Sequence, residues 1–129
     1  MVNGNISGFR MKEALRYHAE KKGKIATLVK TKTSTQKDLA LAYSPGVAYP
    51  CLEIENNPKT VFEYTNKSNL VAVVSNGSAV LGLGNIGALA SKPVMEGKVL
   101  LLKKFAEVDG VDLLIDSKDP GEIINTVKL

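Results

Sequence analysis

The chain has 129 residues, of which 44% are hydrophobic and 23% charged, and its formal net charge at pH 7 is +4. These values predict a soluble globular domain with a hydrophobic core. The chain has one cysteine, Cys51, which excludes a scaffold held together by intrachain disulfides and favours a reducing cytoplasm. The apolar runs, among them Leu70–Val74 and Val99–Leu102, are too short to span a membrane, and the first residues lack the apolar stretch of a secretory signal.

The charge is distributed unevenly. Residues 1–40 carry nine Lys/Arg and three Asp/Glu, a balance of +6, whereas residues 41–129 carry eight and ten, a balance of −2. The basic residues 1–40 could bind nucleic acid, an anionic surface or an acidic subunit. They could equally form a solvated arm that binds no partner. Aromatic residues are sparse in it, which disfavours stacking on bases. We therefore predict no nucleic-acid partner.

Capping signals and apolar spacing predict four helices in the first half of the chain. The first ends at a glycine, the second has Thr35 as its N-cap with Asp38 three residues later, and a proline after a capping residue starts each of the others. Between the first two helices, Ile25–Val29 is compatible with a short extended segment. The predicted helices run from Met11 to Gly23, from Gln36 to Ala42, from Pro45 to about Asn56, and from Pro58 to Glu63.

The second half predicts strands as well as helices. The apolar, β-branched stretch Leu70–Val74 indicates a buried strand, and Asn76-Gly77 indicates a tight turn into a returning strand over Ala79–Leu81. We predict an α/β fold: a small mixed sheet with a β-hairpin, flanked by helices and preceded by a helical arm. The remaining predicted elements are a helix from Ile86 that ends near Pro93, a second helix over Val94–Ala106, a strand over Val111–Ile115, and a helix over Pro120–Leu129 capped by Asp119.

The segment Gly82-Leu83-Gly84-Asn85-Ile86-Gly87 matches G-x-G-x-x-G, the fingerprint of dinucleotide binding. Two observations count against that function. The preceding strand is predicted in a hairpin, whereas the fingerprint follows the first strand of a parallel β-α-β unit. Asp116 also lies 29 residues beyond Gly87, where about 20 is usual for the acid that binds the ribose. The alternative is a loop whose bare backbone lets another ligand come close.

Three longer segments carry a family resemblance. They are Asp38–Ala48, with Tyr43-Ser44-Pro45; Asn69–Gly87; and Lys92–Lys98, with Glu96-Gly97-Lys98, continuing into Lys103–Ala106. Together they resemble the N-terminal domain of the smaller, bacterial-type malic enzymes, in order and from about residue 13 onward. Malic enzymes convert malate to pyruvate and CO₂ with NAD or NADP and Mg²⁺ or Mn²⁺.

The resemblance implies roles for particular residues. Lys98 is similar in position to the base that takes the proton of the malate hydroxyl, and Tyr43 to the acid that protonates C3 of the enolpyruvate. Gly82, Gly84 and Asn85 match a segment that lines the malate site. Ala79 departs from the arginine of animal-type enzymes, so something else must hold the malate carboxylate there.

The resemblance also implies what this chain does not supply. The metal ligands and the dinucleotide-binding domain are expected in a missing C-terminal part, so the chain alone is expected to be inactive and to bind neither metal nor cofactor tightly. Residues 1–24 are then a helical arm that forms a homodimer, and residues 25–129 are the substrate-side domain. The alternative is a non-catalytic domain that self-associates or binds dicarboxylates. The choice between NAD and NADP stays open.

Overall fold

The computed structural model describes residues 10–128, which form two compact units. One unit is Thr27–Leu70, and the other comprises the described residues of Met1–Ala26 and Val71–Leu129. The division into an arm over 1–24 and a domain over 25–129 remains a prediction. In chain order the elements are α1 (Met11–Lys21), α2 (Gln36–Ala42), α3 (Ala48–Asn56), α4 (Val61–Tyr64), β1 (Leu70–Ser75), α5 (Ala88–Ala106), β2 (Asp109–Leu114) and α6 (Pro120–Lys128), with short 3₁₀ turns before and after α4.

The sheet has two strands, β1 and β2, joined through helix α5. The amide of Ile115, just after β2, donates to the carbonyl of Ser75 at the end of β1, with 3.0 Å between N and O. The carboxyl ends of the strands therefore lie side by side, and β1-α5-β2 is a parallel unit of the kind that needs a helical crossover. The predicted α/β class, a small sheet with flanking helices, is confirmed.

The predicted returning strand over Ala79–Leu81 is wrong. Val80 instead forms an isolated bridge with Gly84, in which each amide donates to the other's carbonyl at 2.8 Å. The chain cannot run back along β1 because the carbonyl of Gly77 accepts from the amides of Ile86 and Gly87, at 3.1 and 3.2 Å, which closes a compact loop. The turn at Asn76-Gly77 thus leads into that loop.

Helix α5 is continuous, so the predicted break at Pro93 is also wrong. Its buried residues, Ala88, Ser91, Met95 and Val99, follow helical spacing and form one face, and α5 packs against β2. Pro93 lies on the exposed side. There the backbone carbonyl that loses its helical partner can bond to water, so packing of the buried face outweighs the cost of the proline.

The shorter elements follow the capping signals. Thr35 and Asp38 form a reciprocal capping box at the start of α2, with N–O distances of 3.0 and 3.1 Å. Helix α3 begins at Ala48, three residues later than predicted, and Ile25–Val29 forms no strand. Asp119 caps α6 by accepting from the amide of Gly121 at 2.8 Å.

The hydrophobic core lies in the β1-α5-β2 unit. Its buried apolar side chains are Val80, Ala88, Met95 and Val99. By contrast, helices α1 to α4 contain no buried residue in the described structure. No helix within residues 10–128 is long and apolar enough to cross a membrane.

Candidate functional site

Tyr43, the predicted acid, follows the last residue of α2 and belongs to the unit Thr27–Leu70. Its backbone is fixed on both sides: its amide donates to Leu39 at 2.9 Å, and its carbonyl accepts from Val47 at 2.7 Å. Its side chain is 75% exposed. The fold thus holds the tyrosine backbone rigidly and presents the ring to solvent, where a phenol hydroxyl is available to a ligand.

Lys98, the predicted base, lies on α5 in the other unit. Its side chain is exposed and lines an apolar groove with Val73, Leu101, Leu102, Phe105 and Ala106. Within residues 10–128 no ion pair holds its ammonium. The Lys98 ammonium is therefore not committed to a structural ion pair, and it lies at the rim of an apolar surface.

A second lysine of the same segment, Lys92, is engaged in an ionic cluster. Its ammonium lies 2.5 Å from a carboxylate oxygen of Asp112 on β2 and 3.6 Å from one of Glu96 on the next turn. The Asp112 side chain is only 2% exposed. The hydrogen bond that Lys92 donates to Asp112 raises the pKa of Lys92 above its ordinary 10.5; burial opposes this shift, and the charges of both carboxylates add to it. Lys92 is therefore held as a cation and is unsuited to accept a proton near neutral pH.

The same cluster attaches the segment that follows α1. Glu96 accepts from the backbone amide of Lys24 at 3.1 Å, and the Lys24 ammonium donates to the carbonyl of Pro93 at 2.8 Å. A side chain on Gly23 would meet the Glu96 carboxylate at 3.3 Å. Asp112, Lys92 and Glu96 thus connect β2, α5 and the chain at Gly23-Lys24.

We expect Lys92→Met to lower the free energy of unfolding at neutral pH by about 1 to 3 kcal/mol, because a buried carboxylate loses its cation. The folded pKa of Lys92 is raised, so its stabilising contribution is complete below the unfolded value of 10.5 and disappears as pH rises through the folded value. Urea unfolding of both proteins at several pH values checks this. The difference between them should be constant at neutral pH and shrink above about pH 10.5. A difference independent of pH would contradict it.

The glycine loop holds the three residues predicted to line the substrate site. Gly82 and Gly84 have φ values of +76° and +74°, which favour glycine, and a methyl group at either would meet no atom within 4 Å. With Asn85 they lie in one open loop before α5. Lys98 lies ten residues beyond Ala88, about 15 Å along the helix axis. The structure therefore places the loop immediately before the first turn of α5 and Lys98 further along that helix.

The structure removes one objection to dinucleotide binding by the glycine loop and adds another. The strand before the loop does belong to a parallel β-α-β unit, so the objection based on a hairpin does not hold. However, β1 ends at Ser75, seven residues before Gly82, whereas the fingerprint places its first glycine in the tight turn next to the strand. The residues present do not fit the pyrophosphate turn of NAD or NADP.

The divalent metal implied by the resemblance also has no candidate site among residues 10–128. Within residues 10–128 no three His, Cys, Asp or Glu side chains are grouped so that they could hold one metal ion. Asp116 and Asp119 lie near the end of β2, but Asp119 is engaged in capping α6. The residues described do not fit Mg²⁺ or Mn²⁺.

The ionic cluster was not predicted, although the sequence holds signals for it. Lys92 and Glu96 are four residues apart, the spacing of a helical ion pair. Asp112 is the only charged residue within the predicted strand Val111–Ile115. A carboxylate in an otherwise apolar strand indicates a buried, paired charge, and only the fold shows that its partner is Lys92.

The structure thus defines an α/β domain with a parallel β-α-β core, a glycine loop before its main helix, and an exposed lysine on that helix. Several known proteins are similar to this chain in sequence and fold. A family model described as malic enzyme, N-terminal domain, matches residues 20–126. A Rickettsia prowazekii protein named "Probable NADP-dependent malic enzyme" is 62% identical over 117 residues, which are 90% of this chain and 15% of that protein.

Two further relatives extend the comparison. A Rhizobium meliloti protein named "NAD-dependent malic enzyme" is 52% identical over 122 residues, 94% of this chain and 16% of that protein. The crystal structure of malic enzyme from Pyrococcus horikoshii superposes with a TM-score of 0.88 at 50% identity, over 91% of this chain and 28% of that one. The chain belongs to the malic enzyme family. It corresponds to that family's N-terminal domain and spans less than a third of each relative described here.

Proposed function

We propose that this chain supplies the acid and base side chains of a malic enzyme that oxidatively decarboxylates malate to pyruvate and CO₂. The observation that carries the proposal is the match to malic enzymes over nearly the whole chain, which includes both proposed residues. The exposure of Tyr43 and Lys98 supports it, since a group that meets a substrate must be reachable. The engagement of Lys92 with Asp112 leaves Lys98 as the better base of the two lysines.

In the proposed reaction, Lys98 accepts the proton of the C2 hydroxyl of malate as hydride leaves C2. After CO₂ has left, Tyr43 donates its phenol proton to C3 of the enolpyruvate, which gives pyruvate. The glycine loop lines the malate site in this proposal. The backbone of Gly82 and Gly84, which has no side chain in the way, and the side-chain amide of Asn85 lie close to the dicarboxylate. NAD or NADP, as hydride acceptor, and Mg²⁺ or Mn²⁺ are held by the part of the enzyme outside the matched segment.

The proposal includes a homodimer formed through residues 1–24. The described part of that arm, helix α1, has no buried residue, and its Met11 and Leu15 are 73% and 65% exposed. Large apolar side chains four residues apart on an unpacked helix favour a protein partner. The same observation favours the alternative of a self-associating module without turnover. Under either hypothesis, malic enzyme or self-associating module, we propose that the protein acts in the cytoplasm. An assay of malic enzyme activity distinguishes the two.

We expect this chain alone, given malate, Mn²⁺ and either NAD or NADP, to show no reduction of the cofactor. A chimera in which the chain replaces the matched segment of the Pyrococcus horikoshii enzyme should show malate-dependent reduction, measured by absorbance at the wavelength of the reduced nicotinamide. Turnover by the chain alone would contradict the proposal that the cofactor and the metal are held by another part of the enzyme. An inactive but folded chimera would favour the non-catalytic alternative.

Tyr43→Phe in that chimera should slow release of pyruvate more than hydride transfer, because the proposed acid acts after CO₂ has left. We expect a loss of about 10² or more in the rate of pyruvate formation. Single-turnover measurement of cofactor reduction beside pyruvate formation separates the two steps. Tyr49→Phe is the matched control, since Tyr49 is 73% exposed in the same unit. Equal losses in both steps would exclude the role of acid for Tyr43.

A further inference from the structure

Helix α5 carries a second apolar face besides the one packed in the core. Val94, Lys98, Leu101 and Phe105 follow one another at intervals of four, three and four residues, so they lie along one side of the helix. Leu101 is 52% exposed and Phe105 is 79% exposed. We call these four residues the Lys98 seam. Intervals of three and four are those with which helices pack against other elements.

The seam is distinct from the buried face of α5. The buried residues Ala88, Ser91, Met95 and Val99 occupy a different side of the same helix. The seam also continues into the apolar groove that Val73, Leu102 and Ala106 complete. A helix with apolar side chains on two sides is typically enclosed between two layers of protein. Among the described residues of this unit, β2 covers the buried face of α5, whereas Leu101 and Phe105 of the seam stay exposed.

We propose that the Lys98 seam is the surface on which the remaining part of the malic enzyme polypeptide docks, with apolar side chains over Leu101 and Phe105. This inference rests on the proposed function. The relatives support this occupant, since the chain covers only 15% to 28% of their lengths and most of each enzyme lies outside the matched segment.

A second copy of the chain is a poorer occupant. If two α5 helices paired through their seams, Lys98 would face apolar side chains and be closed off from any substrate, with its charge unpaired. A part of the enzyme that covers only the Leu101–Phe105 end leaves Lys98 at the edge of the contact. There it lies beside the covered surface and can still reach malate.

The test compares hydrogen exchange of the amides of residues 94–105 in the isolated chain and in the Pyrococcus horikoshii chimera. We expect exchange to be about tenfold slower or more in the chimera, because a covered helix opens less often. Phe105→Asp should remove that extra protection, since an unpaired carboxylate resists burial. Leu89→Asp is the matched control: Leu89 is 85% exposed and lies on another side of α5. It should leave the protection unchanged.

Two measurements keep the outcomes separate. The circular dichroism of the isolated Phe105→Asp chain should equal that of the unmodified chain, since the side chain is 79% exposed there. Lys98→Met in the chimera should lower turnover by about 10²- to 10⁴-fold and retain the extra protection. Protection that is absent in the chimera, or equal in Phe105→Asp and Leu89→Asp, would overturn the docking inference alone. Turnover that survives Lys98→Met would overturn the proposed base and leave the docking surface in place.

Discussion

Replacement of Lys98 by Met should lower the rate of malate oxidation in the chimera by about 10²- to 10⁴-fold, the usual contribution of a general base. Methionine keeps the length and apolar stem of lysine but cannot accept a proton. The expected loss therefore reflects chemistry and not a missing contact. Steady-state kinetics with malate and the cofactor measure it. In the Lys98→Ala chimera, added small amines should restore part of the rate.

Lys104→Met is the matched control for this prediction. Lys104 lies on the same helix, is also exposed, and has no catalytic role implied by the resemblance. Its replacement should change the rate by less than about threefold, as is usual for an exposed charge. If Lys104→Met lowers the rate as much as Lys98→Met does, the effect is one of charge on the helix, and the assignment of the base is wrong.

The second large effect is expected at Gly77. This residue has φ of +69°, and a methyl group on it would lie 1.9 Å from the carbonyl oxygen of Gly87. The obstacle is backbone and cannot rotate away. We expect Gly77→Ala to lower the free energy of unfolding by roughly 3 kcal/mol or more, the range of severe steric and backbone changes. Urea unfolding of the chain, followed by circular dichroism, measures the loss.

Gly82→Ala separates the steric effect from that of the backbone angle. Gly82 has a similar φ of +76°, but a methyl group there would meet nothing within 4 Å. Its replacement should cost only about 1 to 2 kcal/mol, the penalty of a left-handed conformation. Equal losses for the two variants would show that the close approach of Gly77 and Gly87 is not what stabilises the loop.

Prediction from sequence succeeded where the signals are local. The capping box of Thr35 and Asp38 fixed the start of α2, and the cap at Asp119 fixed that of α6, because a cap involves residues two or three positions apart. The stretch Leu70–Val74 forms a strand, as its β-branched composition predicts, which is again a property of neighbours. Its predicted burial is wrong, because no residue of β1 is buried and Leu70 and Val71 are exposed. Glycines 82 and 84 were singled out as an open loop, and their positive φ values agree.

Prediction failed where distant residues compete. Asn76-Gly77 is a good hairpin turn, but β2, more than thirty residues later, pairs with β1 where the hairpin would have placed the returning strand. Pro93 ordinarily ends a helix, but the buried face of α5 carries the helix past it. Asp112 pairs with the ammonium of Lys92, which lies twenty residues away in the sequence. Each outcome depends on which partner an element meets after folding, and no local pattern contains that information.

The sequence by itself determined the family, the α/β class, the caps and the two side chains proposed for acid and base catalysis, because these depend on residue identity and short spacing. Only the tertiary structure decided that β1 and β2 are parallel, that Lys92 is held by Asp112, and that Lys98 stands at the rim of an apolar groove. The physical reason is that pairing, burial and charge neutralisation are properties of atoms brought together by the fold. Of the two lysines in one short segment, those contacts commit Lys92 to structure and leave Lys98 for the proposed chemistry.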